Sequence, residues 1–111
     1  MYLRPRSIFE KLIVEEKLTR VASNGRVEVE FKATSAEIFG VIASAEPHER
    51  EKFKSLKHEI THTVIQKLGH VKAKVGDRLV KEDKKYLVKS VDNPAGLGQF
   101  YIYYVEERND L

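Results

Sequence analysis

The dipeptide Asn24-Gly25, followed by a run of alternating residues, constrains what this chain can fold into more than any other feature. Asparagine and glycine both tolerate a positive φ, and side by side they are a strong signal for the turn of a β-hairpin. The run after the turn puts apolar side chains on one face of a strand and charged ones on the other, namely Val27, Val29 and Phe31 against Arg26, Glu28 and Glu30. This period of two predicts a half-buried strand over residues 26–31.

Further short strands are predicted at close spacing along the rest of the chain. Apolar, β-branched and aromatic residues mark them at 7–14, 37–45, 60–65, 85–91 and 99–107, and residues 75–80 read as a turn into a short strand. Pro47 suits a first helical turn and opens a charged segment that we expect to be a short helix or an ordered loop. The sequence therefore predicts a mainly β fold, a small β-barrel or sandwich with one short helix or long loop between strands, in a single domain spanning 1–111.

Composition narrows the class of protein. The chain has 111 residues, 41% of them hydrophobic, which is enough for one modest core. Its 20 basic and 17 acidic residues leave a net charge of +3, too small to indicate nucleic-acid binding by itself. It has no cysteine, which excludes disulfides and thiolate chemistry. The charged N-terminal segment is not typical of a signal peptide or membrane span, so we expect a soluble protein, intracellular or part of a particle.

One short motif points to enzymatic chemistry. Residues 58–62 read His-Glu-Ile-Thr-His, which fits the H-E-x-x-H signature of zinc peptidases. On a helix, His58 and His62 would share one face and bind one zinc ion. Glu59 would then act as general base on the zinc-bound water.

Three observations favour a chance match. The β-branched residues around His62 predict a strand, on which residues four apart lie about 13 Å from each other, whereas zinc ligands converge to about 2 Å from one ion. His70 follows His62 by eight residues, where the longer zinc-peptidase pattern needs six. Little chain remains to build a substrate cleft. We therefore predict no catalytic residue, no metal site and no cofactor.

Residues 67–89 form a locally basic segment. Its basic residues are Lys67, Lys72, Lys74, Arg78, Lys81, Lys84, Lys85 and Lys89. Such a surface could face nucleic-acid phosphates, and the tyrosines at 101, 103 and 104 could stack on bases. Solvated strand edges, with the tyrosines in the core or a subunit interface, explain the same residues and are the favoured interpretation.

Four segments of the second half follow one another in a recognisable order. They read THTVI at 61–65, GDRLV at 76–80, KYLVKSVDNP at 85–94 and GQFYIYYVEER at 98–108. This order resembles that of the bacteriophage head–tail joining proteins, also called head-completion or stopper proteins. In the first half, Arg4 to Val14 resembles the family's opening strand. Phe39 to Pro47 resembles its W-A-x-V-x-P segment, with phenylalanine in place of the tryptophan.

The resemblance implies a structural, non-enzymatic virion protein built on a small β-barrel. Such proteins form a ring beneath the portal or its adaptor in the filled capsid, extend and close the DNA channel, and offer a docking surface for the tail. The implied partners are the portal or adaptor protein, tail proteins, packaged double-stranded DNA and further copies of the chain, with no membrane. The implied locations are the head–tail interface of the virion and, during assembly, the host cytoplasm.

By the same analogy, residues 47–58 are an inserted segment that faces the channel or a neighbouring subunit. Its charged residues suit ion pairs between subunits and are Glu49, Arg50, Glu51, Lys52, Lys54 and Lys57. A ring on the particle is compatible with a monomer in solution. Two alternatives remain open: a small basic β-barrel whose binding to nucleic acid is salt-sensitive, and the zinc peptidase, which would lose activity in Glu59→Ala.

Overall fold

A computed structural model describes residues 9–56, 58–67, 73–93 and 100–109 of the chain, with the backbone alone at Ser35 and Lys67. The elements in chain order are strand β1 (Glu10–Val21), strand β2 (Val27–Ser44), helix α1 (Pro47–Lys54), strand β3 (His62–Lys67), strand β4 (Arg78–Lys81), strand β5 (Lys84–Asp92) and strand β6 (Phe100–Glu107). Within these ranges, α1 and every other helical stretch is too short or too polar to cross a bilayer.

The six strands close into an antiparallel barrel in the order β1-β2-β3-β6-β5-β4, with β4 pairing back onto β1. Alternate residues of each strand point inward and meet in one core. Its fully buried members include Leu12, Ile38, Val64, Leu79, Val88, Tyr103 and Val105. The mainly β fold with one short helix between strands is therefore confirmed as a small barrel.

The predicted hairpin turn joins β1 to β2. The connection is longer than the Asn24-Gly25 pair, and only one residue of that pair takes a positive φ. Val21 pairs with Val27, which leaves five residues between the strands. The amide of Gly25 donates to the carbonyl of Ala22 (2.9 Å), and Gly25 takes a φ of 82°. The Asn24 side chain accepts from the amide of Arg26 (3.0 Å). Of this pair, only Gly25 takes a left-handed conformation, as in turns that end in a glycine bulge.

Strand β2 is one continuous strand of 18 residues, although the sequence predicted two separate strands at 26–31 and 37–45. The register with β1 shifts between Ile13 and Glu15, so that three residues of β2 lie opposite Val14. The hydroxyl of Thr34 donates to the carbonyl of Val14 (2.8 Å) and accepts from the amide of Ala36 (3.1 Å). A side chain thus supplies hydrogen bonds that the ladder lacks at the bulge, and the strand continues through it.

Beyond the bulge, β1 and β2 leave the barrel as a two-stranded arm, residues 16–32. Contrary to the prediction of a half-buried strand, the apolar face of this arm is open to solvent at Val27 and Val29, and only Phe31, which lies under Arg78, is half-buried. Val27 is 65% exposed and Val29 is 51% exposed. The alternation correctly indicated a strand with one apolar face, but no second layer covers that face in the described part of the chain.

Gly40 lies where β2 crosses closest to β3. A Cβ atom at this position would stand 2.8 Å from the Cγ1 atom of Val64 and 3.0 Å from the carbonyl oxygen of Ile65. The second contact is with backbone, which cannot rotate away. Glycine is therefore needed at this point for β2 to pair with β3 over residues 40–44.

Replacing Gly40 with alanine is expected to lower the free energy of unfolding by about 1–3 kcal/mol, because the new methyl group overpacks the β2–β3 contact. Urea unfolding followed by circular dichroism measures this. The matched control is Glu37→Ala, an exposed position on the same strand, which should stay within about 0.5 kcal/mol of wild type. Equal stability of the Gly40 variant and wild type would contradict the steric argument.

Candidate functional site

Helix α1 is attached to the outer wall of the barrel by one aromatic side chain. Phe53 is buried and its ring lies 4.6 Å from that of Tyr104 on β6, with Ala45 and Ile60 completing the cluster. The helix begins at Pro47, whose missing amide proton costs nothing at a first turn. The Glu49 carboxylate accepts a hydrogen bond from the amide of Glu46 (3.0 Å), which anchors that end.

The charged residues of the 47–58 segment divide into one structural and several exposed side chains. Glu49 is buried against the start of its own helix, so its carboxylate serves the cap. Arg50 is partly engaged, since its guanidinium donates to the carbonyl oxygen of Ala45 (3.2 Å). Glu51, Lys52 and Lys54 are exposed, and no ion pair of the described residues involves them. Lys57 lies outside the described residues.

An open concavity of about 400 Å³ lies between α1 and the chain leading to β3. Its lining residues are Arg50, Lys54, His58, Glu59, Ile60 and Thr61. Three of these can carry positive charge and one is acidic, so the concavity is a polar surface with an excess of basic groups.

The His-Glu-Ile-Thr-His motif spans the end of this concavity and the start of a strand. Helix α1 ends at Lys54, residues 58–61 are irregular, and His62 is the first residue of β3, paired with Ser44 and Val105. The prediction that His62 lies on a strand is confirmed, so no helical turn brings the two imidazoles together. Within the described ranges, no cluster of three metal-ligating side chains occurs.

His62 is instead packed as a half-buried side chain at the edge of the core. Its ring stands edge-on to Tyr86, with 5.5 Å between centroids, and its Nδ1 atom lies 2.8 Å from the hydroxyl of Thr61. Burial lowers the pKa of His62, while the nearby Glu107 carboxylate acts in the opposite direction. The folded protein therefore favours the neutral imidazole.

The basic residues of the 67–89 segment do not share one environment. Arg78 is buried, Lys81 pairs with Glu10 (2.7 Å), and Lys74 and Lys84 are exposed. The hydrogen bond that the Lys81 ammonium donates to the Glu10 carboxylate raises the pKa of Lys81. The remaining members divide as follows: Lys85 and Lys89 are half-buried, Lys67 is described by its backbone alone, and Lys72 lies outside the described residues.

Arg78 ties the barrel to the base of the arm. Its guanidinium pairs with the carboxylate of Glu15 on β1, where the Nε–Oε1 distance is 2.6 Å. The same group lies over the ring of Phe31 on β2, 4.2 Å from the centroid. Arginine suits this position because its planar cation can pair with a carboxylate and stack on a ring at once. Arg78 is thus a structural residue, although the sequence placed it in a basic surface.

All three tyrosines that could have stacked on bases are used inside the protein, and Tyr101 packs partly buried against the barrel core. Tyr103 is fully buried; its hydroxyl donates to the Gln66 side chain (2.6 Å) and accepts from the amide of Ala73 (3.2 Å). Burial raises the pKa of Tyr103 to about 12. Tyr104 packs on Phe53, as described above. The packing of these tyrosines agrees with the interpretation that they belong to the core, and it does not form a surface for stacking on bases.

The surface that sequence reasoning missed is the outer face of the arm. The alternation over 26–31 correctly predicts a strand, but the apolar face of that strand does not pack on the core. The partner strand of the hairpin indicates this, because Lys17 and Thr19 stand opposite the apolar residues of 26–31 and only Val21 is apolar. A core-facing hairpin has apolar residues on the same face of both strands.

Replacing Arg78 with alanine is expected to lower the free energy of unfolding by about 2–4 kcal/mol, since Glu15 would keep a largely buried charge without its partner. Thermal and urea unfolding measure this. Lys84→Ala, from the same predicted basic set but exposed, should stay within about 0.5 kcal/mol of wild type. Similar losses in both variants would contradict the structural role of Arg78.

The stability of the protein is expected to depend on His62 below neutral pH. The folded-state pKa is lowered below the ordinary value of 6.5, so the unfolded chain binds this proton more readily. The contribution is fully present above pH 6.5 and is lost as pH falls through the lowered value. The free energy of unfolding, measured with urea, should fall less steeply between pH 7.5 and 5 in His62→Asn than in wild type. His58→Asn, at an exposed position, should follow wild type. Parallel curves of the free energy against pH for all three proteins would contradict the role of His62.

Comparison with known proteins finds a relative in structure but none in sequence. No protein-family model matches the chain, and no curated protein matches it. Among solved structures, the chain is similar to one from the virion of a native gene transfer agent (GTA) particle. The match covers 95% of this chain and 98% of that chain, with a TM-score of 0.61 and 14% sequence identity. At this identity, the similarity concerns the fold.

Proposed function

We propose that this chain is a structural protein of a phage or phage-like particle and that it acts in the head–tail connector. In that role it forms a ring under the portal or adaptor, extends and closes the DNA channel, and presents the tail docking surface. The observation that carries the proposal is the fold shared, over nearly the whole of both chains, with a protein of a gene transfer agent virion.

The order of segments that resembles head–tail joining proteins gives independent support. The segments at 61–65, 76–80, 85–94 and 98–108 supply β3, β4, β5 and β6, respectively. These four strands lie side by side in the order β3-β6-β5-β4 and make up two thirds of the barrel wall. The resemblance therefore concerns one contiguous part of the barrel wall.

The role is non-enzymatic and uses surfaces instead of a reactive centre. We assign no catalytic residue, metal or cofactor to it. The exposed charges of α1, Glu51, Lys52 and Lys54, are the residues we assign to contacts with neighbouring protein in the particle. They stand on a short helix held by Phe53, so their positions are fixed relative to the barrel wall. The virion is the proposed location, with assembly in the host cytoplasm.

Binding to DNA-filled, tailless particles of the cognate system tests the proposal. The purified protein should co-sediment with these particles at the portal vertex, and leakage of packaged DNA should fall in the same samples. Particles that bind a control connector protein but not this chain would overturn the connector role. Anisotropy measured with free double-stranded DNA should detect only weak binding. Strong, salt-sensitive binding to free DNA would favour the nucleic-acid alternative instead.

Reversing charge on α1 is expected to weaken particle binding without unfolding the protein. Lys52→Glu/Lys54→Glu should lower the affinity for particles at least tenfold, because both side chains are exposed and no ion pair of the described residues uses them. The matched control Lys84→Glu changes an exposed lysine at the β4–β5 turn and should leave affinity within twofold. The opposite ranking of the two variants would assign the contact to the basic segment and not to α1.

A further inference from the structure

The arm formed by residues 16–32 projects from the barrel with both strand edges free. Strand β4 pairs with β1 only at residues 13–15, and β3 pairs with β2 only at residues 40–44. Over residues 16–21 and 27–33, each strand of the hairpin therefore has its partner in the hairpin alone, within the described part of the chain. A two-stranded ribbon with one apolar face is marginally stable in water and gains from a covering layer.

Strand register sorts the arm's side chains onto two faces of different chemistry. Directly paired residues share a face, so the pairs Lys17–Phe31, Thr19–Val29 and Val21–Val27 lie together on one side. The pairs Leu18–Glu30 and Arg20–Glu28 lie on the other. Arg20 there binds both Glu28 (3.1 Å) and Glu30 (2.9 Å), which neutralises most of that side.

The first of these sides, which we call the arm face, continues onto the outside of the barrel. On the barrel part of β1 and β2, Leu12 and Ile38 point into the core, so their neighbours Ile13 and Phe39 point outward. These two outward residues lie on the same side of the sheet as the arm face. Of nine large hydrophobic residues that are exposed within the described ranges, five lie on this side of β1 and β2: Ile13, Val21, Val27, Val29 and Phe39. Val21, near the tip of the arm, is 70% exposed.

The size of this surface suits one part of a protein contact. Its apolar area is on the order of 400 Å², about the size of the largest patch on a typical monomer. A standard interface buries about 800 Å² on each partner, so the arm face could supply roughly half of one side. Val21, Val27 and Val29 form its apolar end, and Lys17 and the Glu15–Arg78 ion pair lie between that end and Phe39 on the barrel. This composition suits another protein surface and not nucleic acid.

The opposite wall of the same barrel has a matching character. In the order β1-β2-β3-β6-β5-β4, strands β6 and β5 stand three positions from β1 and β2, respectively. Outward-facing apolar side chains on that wall include Leu87 and Ile102, both partly exposed, whereas Tyr104 already packs against Phe53 of α1. Two apolar surfaces on opposite walls permit one copy to contact the next head to tail, and repetition of that contact forms a ring where the rotation between copies closes.

We propose that the arm face of one copy packs against the β5–β6 outer wall of a second copy of this chain. The inference rests on the proposed function in that it names the contact a connector ring would use. The proposed function includes a ring but names no contact between its subunits, and this inference assigns that contact to the arm. Each copy then has one donor surface and one acceptor surface, so the contact is directional.

Sedimentation velocity of the free protein, up to about 1 mM, tests the contact apart from any particle. Wild type should associate increasingly with concentration. Val29→Lys places a charge in the centre of the arm face and should lower the association constant at least tenfold. Leu18→Lys places the same charge at an exposed apolar residue on the arm's other side and should stay within twofold of wild type. Circular dichroism melts establish that each variant is folded.

Mixing separates a directional contact from a symmetric one. Ile102→Lys blocks the acceptor wall, and Val29→Lys blocks the arm face, so each variant alone should be monomeric. An equimolar mixture retains one intact contact and should form a dimer that does not grow. Wild type that remains monomeric, or variants whose mixture remains monomeric, would overturn the proposal. Association that Ile102→Lys leaves intact would also overturn it, because arm faces would then pair with each other. None of these outcomes alters the particle-binding result.

Discussion

The bulge opposite Val14 is the constraint on which the rest of the architecture depends. A regular β1–β2 hairpin would have to stay in one curved surface, either closed into the barrel or lying flat beyond it. The extra residues of β2, held by the two hydrogen bonds of Thr34, change the direction of the ribbon at this point. On one side β1 and β2 contribute Leu12 and Ile38 to the core, and on the other they form an arm with no core of its own.

Ionic and aromatic contacts then hold the base of the arm to the barrel. Arg78 reaches from β4 to Glu15 on β1 and covers the ring of Phe31 on β2, so three strands meet at one side chain. A buried ion pair adds less to stability than its geometry suggests, because both charges lose their hydration. Its larger effect here is to fix where the ribbon leaves the barrel, which sets the direction of the arm. The direction of the arm in turn determines what its apolar face can reach.

Much of the fold could be predicted from the sequence because local patterns carry it. The alternation after Asn24-Gly25, the proline at the start of α1 and the aromatic block at 100–105 each mark an element that the structure contains. What could not be predicted were features decided by tertiary contacts. Joining two predicted strands into β2 depends on the side chain of Thr34, and burying Arg78 depends on a carboxylate 63 residues away. The connector site residues, which came from resemblance, stay predictions. The structure places Glu49 in a helix cap and leaves Glu51, Lys52 and Lys54 exposed.

Two sequence patterns were ambiguous for one physical reason. The spacing of residues along the chain specifies neither the secondary structure that the segment adopts nor whether another part of the protein covers it. The His-Glu-Ile-Thr-His motif requires a helix for its histidines to converge, and β3 begins at His62 instead. The Val27-Val29-Phe31 alternation requires a covering layer to become core, and the barrel ends before it can supply one. For the arm, the missing covering layer bears on how the protein works. An apolar strand face that the described part of the chain leaves open, on an arm whose edges pair with none of the other described strands, is costly to keep in water. A protein that acts alone gains nothing from it, whereas an assembling subunit can bury it against its neighbour.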